Sequence, residues 1–297
     1  MTTVPDIMQG SSPAGSGAQL ENKLARLQEL LRSYGTVALG YSGGVDSTFL
    51  AAVLARCMPE QALLVHLASP FVGTPERSSF EREGARFGLP VLVLDFDPLS
   101  DDEIRVNPAN RCYHCKHAGF ARVIAEARAH GYQTVIEGSN ADDPEDSRPG
   151  TRAMRELGVC APLREAGWHK AEERELLRAW GIATWNMPAD ACLATRLACG
   201  EPLTLQKLEL VRRCEDYLHE RGLARVRARL AEGRICVQAA SDDLQKLASM
   251  AGGNVADDGS CPLPESVAVA FRSFGAQEVA PRATPYRYGS MSGLASA

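Results

Sequence analysis

Four short apolar segments in the first half of the chain alternate with segments of helical periodicity, and this alternation constrains the fold more than any other feature. The apolar segments are predicted strands, over residues 36–41, 62–67, 90–95 and 134–137. The segments between them are predicted helices, over residues 46–56, 75–87 and 116–130. Strands separated by helices indicate βαβ units, and therefore an α/β fold with a parallel sheet flanked by helices. Such sheets bind ligands beyond the carboxyl ends of their strands.

The second half of the chain has a different pattern. Helices are predicted over residues 170–180 and 204–221, the second with Thr204 as its N-cap, and a short extended segment is predicted over 182–186. Apolar and charged residues alternate over 224–239, which predicts a β-hairpin, and a further helix is predicted over 241–251. The C-terminal part should therefore be a smaller α+β domain with an antiparallel sheet.

These patterns divide the chain into three predicted parts. Residues 1–18 are rich in Gly, Ser and Pro and are expected to form a disordered tail. Residues 19–190 should form the α/β domain, and residues 191–297 the smaller C-terminal domain.

The cysteine count and the net charge exclude several classes of protein. Nine cysteines in 297 residues do not suit a secreted disulfide scaffold, because such scaffolds are short and the N-terminus shows no signal-peptide pattern. No apolar run reaches 18 residues, so we expect no membrane partner. The net charge of −5 gives no basis for nonspecific nucleic-acid binding. We therefore expect a cytoplasmic enzyme with reduced thiols.

The segment SGGVDS, residues 42–47, joins the first predicted strand to the first predicted helix of the sheet. Glycines allow close backbone approach, and a helix N-terminus presents unpaired N–H groups, so the segment is typical of an anion-binding loop. Ser42 and Ser47 add hydroxyl donors, and Asp46 can hold a Mg²⁺ ion that bridges phosphates. The segment is not a Walker A loop, because the GxxxxGK[ST] pattern is absent. A plain turn that starts a helix is the alternative.

Two further segments carry cysteines in a suggestive pattern. Cys112 and Cys115 form a C-x2-C pair in an expected loop after the third strand, and Cys192 is followed at +4 by Arg196. Two thiolates at C-x2-C spacing can bind one metal centre, although the pair alone could also be a redox dithiol or incidental. Three cysteines suit an iron–sulfur cluster with one open iron better than a closed zinc site. Cys199 is a possible fourth ligand. The others are expected to be packing residues: Cys57, Cys160, Cys214, Cys236 and Cys261.

The phosphate segment resembles the PP-loop of the ATP pyrophosphatase superfamily, whose members cleave ATP between its α- and β-phosphates and adenylate a substrate oxygen. The whole set of motifs, in this order, resembles the LarE family of ATP-dependent sulfur transferases, which make the nickel-pincer nucleotide cofactor. The resemblance extends from about residue 20 to about residue 292. Its motifs are 42–47, 107–116, 137–143, 146–150, 191–196, 225–227 and 286–291.

The resemblance implies a substrate, cofactors and ligand residues. The substrate would be pyridinium-3,5-biscarboxylic acid mononucleotide, whose carboxylate is adenylated with MgATP before sulfur replaces AMP. The residues that would bind ATP are Ser42, Gly43, Gly44, Asp46 (with Mg²⁺), Ser47 and Gly138. The residues that would bind the substrate and its phosphate are Arg196, Arg225 and Arg227. A homo-oligomer, from dimer to hexamer, is also implied.

Two branches of the family differ in the source of sulfur. In one branch the enzyme sacrifices its own cysteine, which matches Cys192 and would become dehydroalanine. In the other branch three cysteines hold a [4Fe-4S] cluster that carries the sulfur, and the presence of Cys112, Cys115 and Cys192 favours this branch. The 191–297 domain would then serve sulfur transfer and oligomerisation.

Several polar residues allow two interpretations. Arg225 and Arg227 alternate on one predicted strand and could form an anion pocket or a solvated face. Lys116 could contact phosphates or lie at the surface, and Asp190 or Arg196 could tune Cys192 or pair with each other. The residues after the fourth strand could line the adenine or ribose site, or form a plain turn: Gly138, Ser139 and Asn140. The loop with Asp142, Asp143 and Arg148 could order around substrate or be solvated.

Three other functions compete with this interpretation. A PP-loop tRNA thiolase shares the adenylating loop and three cysteines but should carry a basic RNA-binding patch or extra zinc-knuckle cysteines, neither of which is evident. An amidotransferase-type ligase would not need the cysteine set. A metallochaperone would not need SGGVDS.

Overall fold

The computed structural model describes residues 17–143, 149–188 and 192–286. These residues form two compact units. The described part of the first unit comprises residues 17–69, 75–96, 112–143 and 149–188, and that of the second comprises 70–74, 97–111 and 192–286. Two short segments of the second unit, Pro70–Thr74 and Asp97–Arg111, therefore interrupt the first unit in the sequence. Both lie inside the span predicted as one domain, 19–190.

The helices and strands follow one another along the described chain. The helices are α1 Gly17–Ser33, α2 Val45–Cys57, α3 Thr74–Glu83, α4 Asp102–Arg105, α5 Arg111–Ala129, α6 Pro149–Glu156, α7 Pro162–Glu165, α8 Lys170–Ala179, α9 Leu205–His219, α10 Ser241–Met250 and α11 Glu265–Phe274. The strands are β1 Val37–Gly40, β2 Ala62–Ala68, β3 Val91–Asp95, β4 Thr134–Ile136, β5 Val226–Ala231, β6 Arg234–Ala239, β7 Cys261–Pro262, β8 Glu278–Val279 and β9 Arg282–Pro285.

The first unit contains a four-stranded parallel sheet in the order β3-β2-β1-β4. Leu39 of β1 lies opposite Leu64 of β2 on one side and opposite Ile136 of β4 on the other. All three pairings are parallel, so the predicted α/β fold with a parallel sheet is confirmed. The four strands form where the apolar segments predicted them.

Helices cover both faces of this sheet because successive strand residues point to opposite sides. Leu39 belongs to the core cluster on the α2 face, whereas Ala38 belongs to the cluster that packs with α5. Within the first cluster, the ring of Phe49 on α2 lies 4.8 Å from that of Trp168 and stacks 5.6 Å from that of Trp180. Each fully buried aromatic side chain contributes about 2–3 kcal/mol of transfer free energy. This packing holds α2 against the sheet, and with it the loop 42–47 that precedes the helix, which is called the phosphate loop below.

The second unit contains a mixed sheet built on the predicted hairpin. β5 and β6 pair antiparallel, and the turn between them uses Glu232 and Gly233, both at positive φ. β9 runs parallel to β6 and antiparallel to β7, and β8 pairs with β6. The Thr204 hydroxyl accepts a hydrogen bond from the Lys207 amide at 3.2 Å, so the predicted N-cap of α9 is confirmed. The smaller α+β part is therefore present as predicted, but its sheet is mixed rather than antiparallel, because β8 and β9 run parallel to β6.

Three local predictions need correction. α5 begins at Arg111 rather than near residue 116, so the C-x2-C pair lies on a helix and not in a loop. The segment 182–186, predicted as extended, forms a 3₁₀ helix over Ala183–Asn186 that packs beside α8. α1 begins at Gly17, two residues inside the predicted tail, the rest of which lies outside the described residues.

None of the helices in the described ranges has the length and apolar character that a membrane crossing requires.

Candidate functional site

The phosphate loop lies at the carboxyl end of β1 and leads directly into α2. Gly44 is the N-cap residue of α2, and no side chain in the described part of the chain caps the helix. The Ser42 hydroxyl accepts a hydrogen bond from the Gly44 amide at 3.2 Å and lies 3.1 Å from the Ser47 hydroxyl. The first N–H groups of α2 thus have no side-chain acceptor, and two hydroxyls stand beside them. This arrangement suits an anion.

Gly43 shows why the loop needs glycine. Its φ is +84°, in the left-handed region. A Cβ atom at this position would lie 2.5 Å from the Glu76 carbonyl oxygen and 2.9 Å from the Phe80 amide nitrogen, both backbone atoms of α3. Glycine therefore lets the loop and α3 come together.

Gly138 brings the end of β4 against the same loop. A Cβ atom at Gly138 would lie 3.1 Å from both the Asp46 Cβ atom and the Ser47 amide nitrogen. The predicted ATP residues Ser42, Gly43, Gly44, Asp46, Ser47 and Gly138 are thus gathered at one end of the sheet. Their binding of ATP stays a prediction.

The Asp46 carboxylate is held by two donors from other elements. Asn140 Nδ2 donates to Asp46 Oδ1 at 2.9 Å, and Lys170 Nζ donates to Asp46 Oδ2 at 2.9 Å. Each carboxylate oxygen still has a second lone pair, and the Asp46 side chain is partly exposed. Mg²⁺ is commonly bound through one or two carboxylates together with substrate phosphates. Asp46 therefore fits a single-carboxylate Mg²⁺ ligand.

Glu173 is a second carboxyl group behind this loop. It is fully buried on α8, and its Oε1 atom accepts a hydrogen bond from Asn140 Nδ2 at 3.1 Å. Burial and the adjacent negative charge of Asp46 raise the pKa of Glu173 to about 9. The group consequently carries a proton at neutral pH.

The loop after β4 is tied to the start of α8 by Asp142. Its carboxylate accepts hydrogen bonds from His169 Nδ1 at 2.7 Å and from the Lys170 amide at 2.8 Å. These two interactions, the His169 one foremost, lower the pKa of Asp142. Asp142 is thus engaged in the protein's own contacts. Arg148, which was assigned to the same loop, lies outside the described residues.

The C-x2-C pair lies at the N-terminal end of α5. Cys112 and Cys115 are three residues apart, so they lie on one face of the helix, and neither forms a disulfide bond. Cys112 is exposed and Cys115 is half-buried. A pair of thiols one turn apart fits two ligands of a single metal centre. One residue further on, Lys116 Nζ lies 3.7 Å from Glu137 Oε2 at the carboxyl end of β4.

Cys192 belongs to the second unit. It is exposed and immediately precedes a 3₁₀ helix over Leu193–Arg196, whose Leu193 amide donates to the Phe71 carbonyl at 2.8 Å. Among the described residues, no three His, Cys, Asp or Glu side chains are gathered into a metal-binding group. The assignment of Cys192 to a cluster with Cys112 and Cys115 stays a prediction. Asp190 lies outside the described residues.

Arg196 has a buried partner of its own. Its guanidinium makes a two-pronged ion pair with Glu215 on α9, with Nε–Oε1 and Nη2–Oε2 distances of 2.8 Å each. Glu215 Oε1 also accepts the Ala228 amide of β5 at 2.9 Å. The Arg196 side chain is fully buried in this ion pair. The pair therefore connects the Cys192 segment to α9. Its predicted role as a substrate ligand stays a prediction.

Three arginines alternate along β5 and the residue before it. Arg225 is exposed and pairs with Asp242 at 3.4 Å. Arg227 is buried, and its guanidinium lies 5.7 Å from the centre of the Tyr286 ring. Arg229, which the sequence motifs did not single out, is also buried and donates to Gln238 Oε1 at 3.0 Å. Only Arg225 therefore fits a solvated face.

Asn107 joins the segment Asp97–Arg111 to the residues around Cys199 within the second unit. Its Nδ2 atom donates to the Ala198 carbonyl at 2.8 Å, and its own carbonyl accepts the Gly200 amide at 2.8 Å. These contacts flank Cys199, which is exposed. The residue is buried at a φ of 54°, a left-handed conformation that Asn tolerates better than most residues.

The chain is similar to several known proteins, although no family model matches it. An uncharacterized protein of Synechocystis, slr1717, is 32% identical over 76% of this chain and 85% of its own length. The pyridinium-3,5-bisthiocarboxylic acid mononucleotide synthase of Lactiplantibacillus plantarum is 30% identical over 71% of this chain and 77% of its own length. The chain belongs to the LarE family. An uncharacterized Methanocaldococcus jannaschii protein, MJ0830, is 26% identical over 71% of this chain and 80% of its own length.

Membership of the LarE family confirms the resemblance on which the site residues were chosen. Three residues of the network around the phosphate loop were nevertheless not selected as site residues from the sequence: Asn140, Lys170 and Glu173. Asn140 was considered as a residue that could line the adenine or ribose site or form a plain turn, and not as a partner of Asp46. The other two lie in the pattern KAEEREL, which reads as a charged, exposed helix face.

Proposed function

We propose that this LarE-family chain is an ATP-dependent sulfur transferase that acts on pyridinium-3,5-biscarboxylic acid mononucleotide. The Lactiplantibacillus plantarum relative is named for synthesis of the bisthiocarboxylic acid mononucleotide, and the chain matches most of that protein. The observation that carries the proposal is the phosphate loop, where the uncapped first turn of α2 stands beside Asp46 and Gly138.

In the first step, a substrate carboxylate oxygen attacks the α-phosphorus of ATP. The bond between the α-phosphorus and the bridging oxygen breaks, and pyrophosphate leaves with that oxygen. The α2 N–H groups and the hydroxyls of Ser42 and Ser47 would hold the charge that develops on the leaving group. Asp46 would hold the Mg²⁺ that ATP brings, and Mg²⁺ supplies further charge neutralisation.

In the second step, sulfur attacks the activated carbonyl carbon and AMP leaves, which gives a thiocarboxylate. We propose Cys112, Cys115 and Cys192 as the ligands of a [4Fe-4S] cluster, which would supply the sulfur. The exposure of Cys192 also favours a second candidate, in which its own sulfur is transferred and dehydroalanine remains. Arg225 and Arg227 would bind the anionic groups of the substrate nucleotide.

The first experiment measures pyrophosphate release and thiocarboxylate formation by mass spectrometry. We expect both to require MgATP and the pyridinium nucleotide, and Asp46→Asn to reduce them. Pyrophosphate release that needs tRNA instead would contradict the proposed substrate and favour the thiolase.

A second experiment separates the two sources of sulfur. Anaerobically purified protein should contain about four irons per chain, and Cys112→Ala should lose them. Protein without iron, in which Cys192 loses the mass of one hydrogen sulfide after reaction, would refute the cluster and establish the sacrificial route.

A further inference from the structure

The network behind the phosphate loop contains one carboxyl group for which the proposed reaction has no use. Glu173 is fully buried, and the Asn140 side chain bridges its Oε1 atom to Asp46 Oδ1. Asn140 is itself almost fully buried. The three side chains come from different elements: α2, the loop after β4, and α8.

The direction of the Asn140 amide is determined by its surroundings. Its Oδ1 atom accepts the Asp142 amide at 3.0 Å, and the Asn140 backbone amide donates to Asp143 Oδ2 at 3.2 Å. The Nδ2 group must therefore face the two carboxyl groups. An amide nitrogen has two hydrogens, and here one is directed to Asp46 and the other to Glu173.

Stability alone does not explain a carboxyl group at position 173. Its Oε2 atom is buried and has no hydrogen-bond partner among the described residues. An unsatisfied buried polar atom is unfavourable. Leu176 and Leu177, on the same helix, are buried in the apolar core, so an aliphatic residue at 173 would have apolar neighbours. A buried carboxyl group whose desolvation destabilises the fold points to a role in the site.

We propose that Glu173 is a positioning residue that, through the Asn140 amide, directs the Asp46 carboxylate toward the Mg²⁺ ion of bound MgATP. This inference rests on the proposed function. With Glu173 present, Asn140 Nδ2 is anchored on one side and its second hydrogen holds Asp46 Oδ1. Lys170 holds the other oxygen, so the carboxylate has one orientation. Without Glu173, the amide loses its anchor and Asp46 can turn.

The test measures the affinity for ATP by calorimetry, once in the presence of Mg²⁺ and once in EDTA. Only the affinity measured with Mg²⁺ depends on the orientation of the Asp46 carboxylate. In the wild-type chain, Mg²⁺ should tighten ATP binding. Glu173→Leu should lower this Mg²⁺-dependent gain at least fivefold and leave ATP binding in EDTA unchanged. Glu173→Gln should stay within twofold of wild type, because its amide oxygen can still accept the Asn140 hydrogen bond. Glu172→Gln, at the adjacent position, is the matched control.

Thermal melting of the same variants excludes a merely structural role. Glu173→Leu should melt at the wild-type temperature or above it. If Glu173→Leu melts at a lower temperature than wild type, Asn140→Ala is compared with Glu173→Gln instead. Asn140→Ala should then lose the same Mg²⁺-dependent gain in ATP affinity.

Two outcomes would contradict the proposals. A wild-type Mg²⁺ gain that persists in both Glu173→Leu and Asn140→Ala would overturn the positioning role and leave the proposed function standing. A wild-type chain that does not bind MgATP would overturn the proposed function itself.

Discussion

The ion pair between Arg196 and Glu215 allows a quantitative test of how the Cys192 segment is held. The Arg196 side chain is 0% exposed and that of Glu215 is 4% exposed. Arg196→Met would leave the Glu215 carboxylate buried, with the Ala228 amide as its remaining hydrogen-bond donor among the described residues. Removal of one partner of a buried pair costs about 3–5 kcal/mol. Whole domains are stable by about 5–15 kcal/mol, so the second unit should be strongly destabilised.

The double variant separates the interaction from the loss of side chains. Arg196→Met combined with Glu215→Gln removes both charges of this buried pair and keeps an oxygen for the Ala228 amide. We therefore expect it to regain most of the loss and to fall within about 2 kcal/mol of wild type. The coupling energy from the cycle should then be at least about 2 kcal/mol.

Urea unfolding at pH 7 measures these free energies from the midpoint and slope of each curve. Arg272→Met and Glu265→Gln, alone and together, are the control, because this pair is exposed, with side-chain exposures of 51% and 78%. Each control should cost under about 1 kcal/mol. If Arg196→Met costs no more than Arg272→Met, Arg196 is not held by a buried partner and the reasoning is refuted.

Three further predictions concern single positions. Gly43→Ala should abolish ATP-dependent pyrophosphate release. It should also destabilise the chain more than Gly35→Ala, because Gly35 has a similar φ of +75° but open space at its Cβ position. Equal losses in unfolding free energy would contradict the close approach of the loop to α3. Glu173→Gln should become more stable relative to wild type as pH rises, by up to about 1.4 kcal/mol per pH unit, because the folded state retains a proton that the unfolded chain releases above about pH 4.3. This stabilising contribution of the protonated wild-type group should be lost progressively up to the raised pKa of about 9, and a pH-independent difference between the two urea midpoints would rule it out. Asn107→Ala should lower the urea midpoint more than Asn107→Gly. Both variants lose the hydrogen bond to Ala198, but Gly tolerates the φ of 54° better than Ala does. The reverse order of midpoints would show that the backbone conformation is not strained.

The parallel sheet was predictable because its strands are short apolar runs that alternate with helices. The loop 42–47 was predictable because glycine and hydroxyl residues stand together where a strand passes into a helix. The start of α5 was missed because Asn107 and Pro108 are typical turn residues, and the helix begins only three residues after Pro108.

The network behind the loop could not be predicted from local sequence. Glu173 has acidic and basic neighbours, and helical periodicity alone assigns such a residue to a solvated face. Its burial arises because α8 packs on α2, a contact between residues far apart in the chain. The partner of Arg196 was hidden in the same way, because Glu215 lies 19 residues away on α9.

The interrupted course of the first unit has a consequence for how the protein is made. Asn107 leaves the ribosome 91 residues before Ala198, whose carbonyl it holds. At typical synthesis rates of about 5–20 residues per second, its partner follows roughly 5 to 20 s later. The sheet of the first unit can assemble during this interval, before the segment 97–111 can pack with the rest of the second unit. A fragment that begins at residue 192 would lack the segment 97–111, so the C-terminal half should not be expected to fold when it is expressed alone.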